Sequence, residues 1–389
     1  LFITHSFAMT GGAEDEFERL LKHFSSKPEI YEIHGMFPRG ERSEIYASYC
    51  SKVGYYRYGH LPVINEGILP YLKYILKLPI QLYQIIKFAW GQKYDVAAVN
   101  VVVLLWPVIA MKLLFTRVIV FIREDVHPKW LRNIIYIFLV KSCSFLIPNS
   151  KTKLRDIVSL TGSQNVMCIY PSVEDYTASS LNDLREKLSD SNYNKLLEPG
   201  VFRFLNPARI LHKKNQMLIV EALAKIKEKA TGFTPQVVFL GFYDKNDPYY
   251  ISLLEFIKIN SLSDKCIFLG ELDRKLLYKI YELVDAVVLT SISEGLPLVM
   301  VESFKFQKPF ISTKVGGIPE IVQTGETGML VEFDSSNVGE TMLEIMSNKG
   351  LYEKIRKEAR KHFEKKFDIV SILKETEGVF LQVIKNGTD

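Results

Sequence analysis

The sequence has little with which to build a metal site or a disulfide framework. Its four cysteines, Cys50, Cys143, Cys168 and Cys266, are scattered, with no CxxC pair and no close histidine partner. Neither a zinc site nor a set of disulfides is expected, and a reducing, cytoplasmic setting is the default. No Asp-x-Asp pair offers a metal clamp. The most apolar run, Val96–Met111, contains Asn100 and Pro107 and stops short of the roughly 20 residues that a spanning helix needs. The opening does not read as a signal peptide, because Gly11-Gly12 and three acids arrive too early. Charge of one sign is also scarce in excess: 49 Lys+Arg against 44 Asp+Glu leave a net +5. That bias suits an anionic ligand or an anionic membrane surface and is too weak to argue for nucleic acid.

What is present is a packed globular chain of 389 residues, 48% hydrophobic and 24% charged, long enough for two domains. Leu1–His5 reads as a strand already under way, Ser6–Gly12 as a loop, and Ala13–Phe24 as a helix with Glu14, Asp15 and Glu16 in its first turn, where acids suit the helix dipole. Strands are expected at Glu29–Met36, Asp95–Val103, Arg117–Ile122, Ser144–Pro148 and Val166–Tyr170, with helices at Trp130–Val140 and Lys151–Leu160. Glu66–Trp90 is a long basic and apolar stretch. Lys73, Lys77, Gln84 and Lys87 share one sector of it at 100° per residue, and no acid occurs between Tyr71 and Lys93. Pro79 is expected to kink or divide this helix. It is either a helix with a solvated lysine stripe or a surface that touches an anionic leaflet.

Tyr176–Pro199 is rich in Ser, Asn, Asp, Glu and Lys and reads as a linker. A second α/β pattern follows. Its strands are expected at Phe202–Leu205, Gln236–Leu240, Ile267–Leu269, Ala286–Thr290, Pro309–Thr313 and Gly328–Glu332. Its helices are expected at Asn215–Lys229, Tyr249–Asn260 and Arg274–Val284, after Val315–Glu320, and from Leu351 to Lys385. The expected architecture is α/β: two Rossmann-like domains, residues 1–190 and 200–367, facing each other across a cleft.

The most informative stretch is Ser293–Phe304, Ser-Glu-Gly-Leu-Pro-Leu-Val-Met-Val-Glu-Ser-Phe. A strand feeds a glycine turn and a helix N-terminus, which is a ready anion site. Glu294 stands at the mouth of that turn and Glu302 inside the helix, although Glu302 also fits an ordinary helix-surface residue. Arg209 and Lys214 follow an earlier strand. An arginine fork and a lysine point charge can clamp phosphate oxygens. Gly316-Gly317 with Pro319 forms a second glycine turn. Two cations, a helix N-terminus and carboxylates suit a nucleotide diphosphate joined to a polyol, with the cations doing the work of a metal. Near the start, Gly11-Gly12 lets a ligand or another backbone approach closely, or is simply a tight turn. Arg123-Glu124-Asp125-Val126-His127 is a dense polar cluster just past a strand end, where α/β sheets place their sites.

Arg209 with Lys214, the Glu-x7-Glu of Glu294 and Glu302, Gly316–Glu320 and the Thr-Gly-x-Thr-Gly of Thr324–Gly328 together resemble the retaining GT-B glycosyltransferases of family 4. Gly11-Gly12-Ala13-Glu14 resembles that family's N-terminal glycine loop. The resemblance implies an N-terminal acceptor-binding domain, a C-terminal nucleotide-sugar-binding domain and a last helix, 368–389, that crosses back to the first domain. It implies that Arg209 and Lys214 hold the diphosphate and that Glu294 contacts the donor sugar. Glu302 would bind the ribose, Gly295, Leu296, Pro297 and Leu298 would supply the phosphate-facing turn, and Leu272 would sit near the base. Gly11 and Gly12 would face phosphate and acceptor. Two departures stand out. Arg123-Glu124 occupies the place of a usual site histidine, with His127 four residues on, and a usual glycine pair is reduced to Gly241. The implied activity is retaining transfer from a nucleotide-diphosphate sugar to a saccharide or lipid-linked saccharide acceptor in surface glycan synthesis, without a metal cofactor. It would take place in the cytoplasm, with peripheral contact to the inner membrane face. A nucleotide-sugar epimerase and a non-catalytic nucleotide-sugar-binding protein are the alternatives on the same fold. A two-carboxylate glycosidase has no need of a diphosphate clamp.

Overall fold

The computed structural model describes residues 1–4, 12–40, 42–56, 68–100, 105–123, 125–126, 128–174, 177–230 and 232–386, with backbone only for 68–78. The chain divides into two compact units, Leu1–Pro171 with Ile369–Asp389, and Ser172–Asp368.

The first unit contains β1 (Phe2–Thr4), α1 (Gly12–Ser25), β2 (His34–Pro38), α2 (Ser43–Ser48), β3 (Lys52–Tyr56), α3 (Ile68–Ala89), β4 (Ala97–Asn100), α4 (Leu105–Leu113), β5 (Val118–Ile122), α5 (Lys129–Ser142), β6 (Phe145–Pro148) and α6 (Lys151–Thr161). The sheet order is β3-β2-β1-β4-β5-β6, parallel throughout. An all-parallel sheet must be covered on both faces, and the period-two side-chain alternation divides its residues between two cores. Ile3, Val99, Val118 and Val120 enter one core, which Ile85 of α3, Met111 of α4 and Leu139 of α5 close. Phe2, Ala98, Ile119 and Phe121 enter the other, against Phe17 and Phe24 of α1 and Tyr46 of α2. α3 continues through Pro79 as one helix, held by Ile85 and Ala89 in the core, so the expected division at Pro79 does not occur. Val166–Tyr170 does not form a full strand. Met167 N and Ile169 N donate to Leu146 O and Pro148 O, each at 3.1 Å, and only Val166 bridges to β6.

The second unit opens with α7 (Leu181–Lys187) and α8 (Asp190–Leu197), inside the stretch that reads as a linker. Its serines and aspartates are helix caps. Ser180 and Asp183 close a reciprocal capping box, and Ser189 accepts from Asn192 N. Leu184 and Leu196 are buried, and Asn192 Nδ2 donates to Phe268 O at 3.1 Å. The division therefore falls at Pro171/Ser172, upstream of the expected 190/200. The rest of the unit is β7 (Val201–Pro207), α9 (Gln216–Ile226), β8 (Thr234–Leu240), α10 (Pro248–Ile259), β9 (Cys266–Phe268), α11 (Arg274–Leu283), β10 (Ala286–Leu289), α12 (Leu298–Lys305), β11 (Phe310–Thr313), β12 (Met329–Val331), α13 (Ser335–Ser347) and α14 (Lys349–Lys366). The helix expected after Val315 is only a single 3-10 turn, Ile318–Glu320. The parallel order β12-β11-β10-β7-β8-β9 repeats that of the first sheet, with the first and fourth strands of each unit adjacent at the centre. Both units are Rossmann-like.

The C-terminal helical stretch breaks at Phe367-Asp368, and α15 (Ile369–Lys385) belongs to the first unit. Phe380 lies 4.7 Å from Phe24 and 5.9 Å from Phe2, ring centre to ring centre. Glu377 accepts hydrogen bonds from Lys27 Nζ at 2.5 Å, Tyr31 Oη at 2.7 Å and His23 Nε2 at 3.0 Å. Burial alone would raise the Glu377 pKa. The bonds from Lys27, Tyr31 and His23 outweigh it and bring the pKa from 4.5 down to about 2. A carboxylate whose pKa is lower in the folded state stabilises that state above its unfolded pKa and loses the effect as pH falls through the folded one. Glu377→Gln is expected to lower the melting temperature at pH 7 by ~2–4 °C, the loss for about 1 kcal/mol. The gap to the unsubstituted protein should narrow between pH 4.5 and about 2, as measured by thermal unfolding across that range.

Candidate functional site

In a doubly wound sheet the loops leaving the two central strands diverge and open a crevice at their carboxyl ends. In the second unit those strands are β7 and β10, and side chains knit their loops together. Asn206, fully buried, donates through Nδ2 to Val288 O at 2.8 Å. Gln216 Nε2 donates to Arg209 O at 2.9 Å and to Asn206 Oδ1 at 3.4 Å. Thr290 Oγ1 donates to Asn215 O at 2.8 Å, and Ile292 N to Lys213 O at 2.8 Å. Asn215 has φ 51°, the left-handed conformation that asparagine tolerates better than most residues, and it forms the junction between the 208–214 loop and α9.

These bonds bring Lys214 to Glu294. Lys214 Nζ donates to Glu294 Oε1 at 2.5 Å, with both side chains largely buried. Immediately beyond, Gly295, Leu296 and Pro297 turn into α12, whose N-cap is Pro297, and Leu298 opens the helix. Leu296 and Leu298 are buried and anchor the turn from beneath. The Gly316-Gly317 turn presses against it: Gly317 N donates to Gly295 O at 2.7 Å. A Cβ on Gly316, φ 56°, would stand 1.8 Å from Glu294 O, so that position requires glycine. Gly241 plays a similar part. With φ 145°, it packs so closely on the Arg209 loop that a Cβ would lie 2.6 Å from Ala208 O. Arg209 itself is exposed on that loop. Arg209, Lys214, Gly241, Leu272, Glu294 and the 295–298 turn thus all lie in loops leaving the carboxyl ends of the second sheet.

Glu302 is not a surface residue. It is 2% exposed; one carboxylate oxygen is ion-paired with Arg274, and the other accepts from Tyr281 Oη at 2.9 Å. Burial first, and the Glu302 charge second, hold the Tyr281 hydroxyl well above its usual pKa, so it remains the donor. Leu272 is buried in the loop that delivers Arg274. Arg274 and Tyr281 are absent from the sequence reading. The signal was nevertheless there: Asp273 caps α11, which puts a cation in the first helical turn, where the dipole opposes it. A residue so placed has a partner elsewhere.

In the first unit, Gly12 opens α1 and is exposed; Gly11 lies outside the described residues, as do Glu124 and His127. Arg123 is ion-paired with Glu16 and stands 5.0 Å over the Phe121 ring. Its carbonyl accepts from Lys153 Nζ at 2.9 Å, and Lys153 also pairs with Asp125 at 3.2 Å.

Residues 191–362 match the family model described as Glycosyl transferases group 1. The chain is 24% identical over 231 residues to the N-acetyl-alpha-D-glucosaminyl L-malate synthase of Bacillus anthracis, covering 58% of this chain and 56% of that protein. It is 26% identical over 196 residues to the D-inositol 3-phosphate glycosyltransferase of Pseudarthrobacter chlorophenolicus, covering 50% and 45%. The chain thus spans about half the length of these curated relatives. Among solved structures, Anabaena HepE in complex with UDP-glucose superposes with a TM-score of 0.77 at 18% identity over 98% of both chains, a likeness of fold. The group 1 match covers residues 191–362, most of the second unit, and each unit carries a Rossmann-like sheet; over that stretch the chain is similar to the glycosyl transferases group 1 family.

Proposed function

We propose that the protein transfers a sugar, with retention of anomeric configuration, from a nucleotide-diphosphate sugar of the UDP type to a saccharide or lipid-linked saccharide acceptor in surface glycan synthesis. The observation that carries this is the Lys214–Glu294 pair beside the 295–298 turn. A diphosphate arriving there meets Lys214, Arg209 and the backbone N–H groups of the turn. Lys214 can then exchange the carboxylate for phosphate, which leaves Glu294 to accept from hydroxyls of the donor sugar. As the bond from the anomeric carbon to the diphosphate oxygen breaks, charge grows on that oxygen, where two fixed cations are worth most. The acceptor hydroxyl forms the new bond on the same face, and its proton passes to the departing phosphate. Glu302, steadied by Arg274 and Tyr281, is assigned to the ribose, and the Leu272 loop to the base. The first unit is assigned to the acceptor. The UDP-glucose in the Anabaena complex and the sugar-transferring activities in the relatives' names support the donor class. The setting proposed is the cytoplasm, at the inner membrane face where the acceptor is lipid-linked.

A thermal-shift screen against UDP, GDP and ADP is expected to show stabilisation by UDP that Arg209→Ala abolishes. No shift with any of the three would overturn the reading. Lys214→Ala should lower kcat by ~10²–10³-fold, the usual loss for one donor at a developing negative charge, measured as nucleotide release with acceptor present. Arg274→Ala leaves the Glu302 carboxylate with Tyr281 as its remaining named partner and should cost about 2–3 kcal/mol of stability. It should raise KM for the donor more than it lowers kcat, with Arg274→Lys restoring part of both.

A further inference from the structure

We infer that the ring of Phe242 is the platform on which the base of the donor nucleotide stacks. The inference deepens the proposed function and rests on its donor site. Along the carboxyl edge of the second sheet the strands run β10-β7-β8-β9. The proposed diphosphate clamp, Arg209 and Lys214 with the 295–298 turn, leaves β7 and β10, and the Leu272 loop leaves β9. The loop after β8 therefore stands between the clamp and the loop assigned to the base. Two backbone bonds tie it to these neighbours. Gly241 N donates to Gly270 O at 2.9 Å, and Ile210 N donates to Phe242 O at 2.9 Å. One short segment is thus fastened to the Arg209 loop on one side and to the Leu272 loop on the other.

The Phe242 side chain is 49% exposed, whereas the next residue, Tyr243, turns back onto the protein. Its ring stacks on Tyr250 at 4.7 Å, with 19° between the planes, and meets Phe268 edge-on at 6.3 Å. Further on, Asn246 N donates to Asp244 Oδ1 at 2.9 Å, and Asp247 caps α10. The loop is therefore held on both sides of Phe242. A single exposed apolar residue is ordinary on a protein surface, so position decides. Among the described residues the second unit has three exposed phenylalanines, Phe233, Phe242 and Phe333. Phe233 precedes β8, at the opposite edge of the sheet, and Phe333 follows the outermost strand, β12. Of the three, Phe242 alone stands between the clamp and the Leu272 loop. In a nucleotide-diphosphate sugar the diphosphate is charged and the two sugars are rich in hydroxyls, so the base is the part with a flat apolar face. An exposed aromatic ring takes such a face by stacking, and a loop already fixed loses little freedom when the base arrives. Every base has a π-face, so Phe242 supplies affinity and leaves the choice of base to other groups.

The test is calorimetric titration of the full chain with UDP, GDP and ADP, beside Phe242→Ala, Phe242→Leu and Phe242→Tyr. Melting temperatures without ligand check the fold of each variant. For the nucleotide that binds, UDP on the proposed reading, Phe242→Ala and Phe242→Leu are expected to weaken binding by ~tenfold, and Phe242→Tyr by no more than ~twofold. Phe242→Trp adds a spectroscopic reading. Trp90, Trp106 and Trp130 all lie in the first unit, so the new indole is the only one in the second. A base stacked on it quenches its fluorescence, and the nucleotide should lower the emission of this variant more than that of the unsubstituted protein. An unchanged affinity in Phe242→Ala, a Phe242→Leu variant that binds as well as Phe242→Tyr, or no added quenching in Phe242→Trp would overturn the inference. Binding by the unsubstituted protein with unaltered variants removes the Phe242 platform alone. No binding of any of the three nucleotides removes the proposed donor site, and the platform with it.

Discussion

Where the strand order of a parallel sheet reverses, the two central strands send their chains to opposite sides, and the backbone groups left between them need side-chain partners. Each unit of this protein meets that constraint with a buried asparagine. In the first, Asn100 of β4 donates to Thr4 Oγ1 at 3.2 Å and to Ala13 O at 3.3 Å, linking the ends of β1 and β4 to the start of α1. In the second, Asn206 of β7 reaches Val288 of β10, and Gln216 and Thr290 extend the network to the loop that carries Arg209 and Lys214. A buried polar network of this kind favours one arrangement of its loops, because breaking its bonds would strand the donors and carbonyls it joins.

With its loops fixed, the second unit keeps charge in place before any ligand arrives. Lys214 and Glu294 neutralise each other, which avoids the cost of isolated charges at a partly buried position. Under the proposed function each exchanges the other for part of a nucleotide-diphosphate sugar. Arg274 and Glu302 are more deeply set: the carboxylate is nearly sealed, with Tyr281 behind it. Under the proposed function the first pair opens around substrate and the second holds a binding group still. The close approach of Gly316 to the Glu294 carbonyl leaves no room for a side chain at that position.

The second sheet was largely readable from sequence because its strands are short runs of Val, Ile, Leu and Phe bounded by Gly, Pro and Asp, the pattern that fully buried parallel strands require. Arg209, Lys214, Glu294 and the 295–298 turn could be placed on its carboxyl edge because each follows such a run. The segments that read differently have identifiable causes. Polar residues at 176–199 suggest a linker, but Ser180, Asp183 and Ser189 are caps, and whether a serine caps or loops depends on the apolar residues it brings to a neighbour, here Leu184 and Leu196. Pro79 is absorbed because the packing of α3 outweighs one lost hydrogen bond. The Arg274–Glu302 pair joins residues on different helices, a separation that no local pattern encodes. The Gly11 loop and the Glu124 and His127 positions lie outside the described residues.

The return of α15 to the first unit has a consequence for synthesis. Residues 172–368 form a continuous segment, so everything the second unit needs has been made by the time Asp368 leaves the ribosome. The first unit still lacks Val379, Phe380 and Val383, which fill its core beside Phe2 and Phe24. Domains condense as their chains become complete, and here the order of completion inverts the order of the sequence. Until the last turn of α15 emerges, the growing chain leaves Phe2, Phe24 and their neighbours in that core without their last apolar partners.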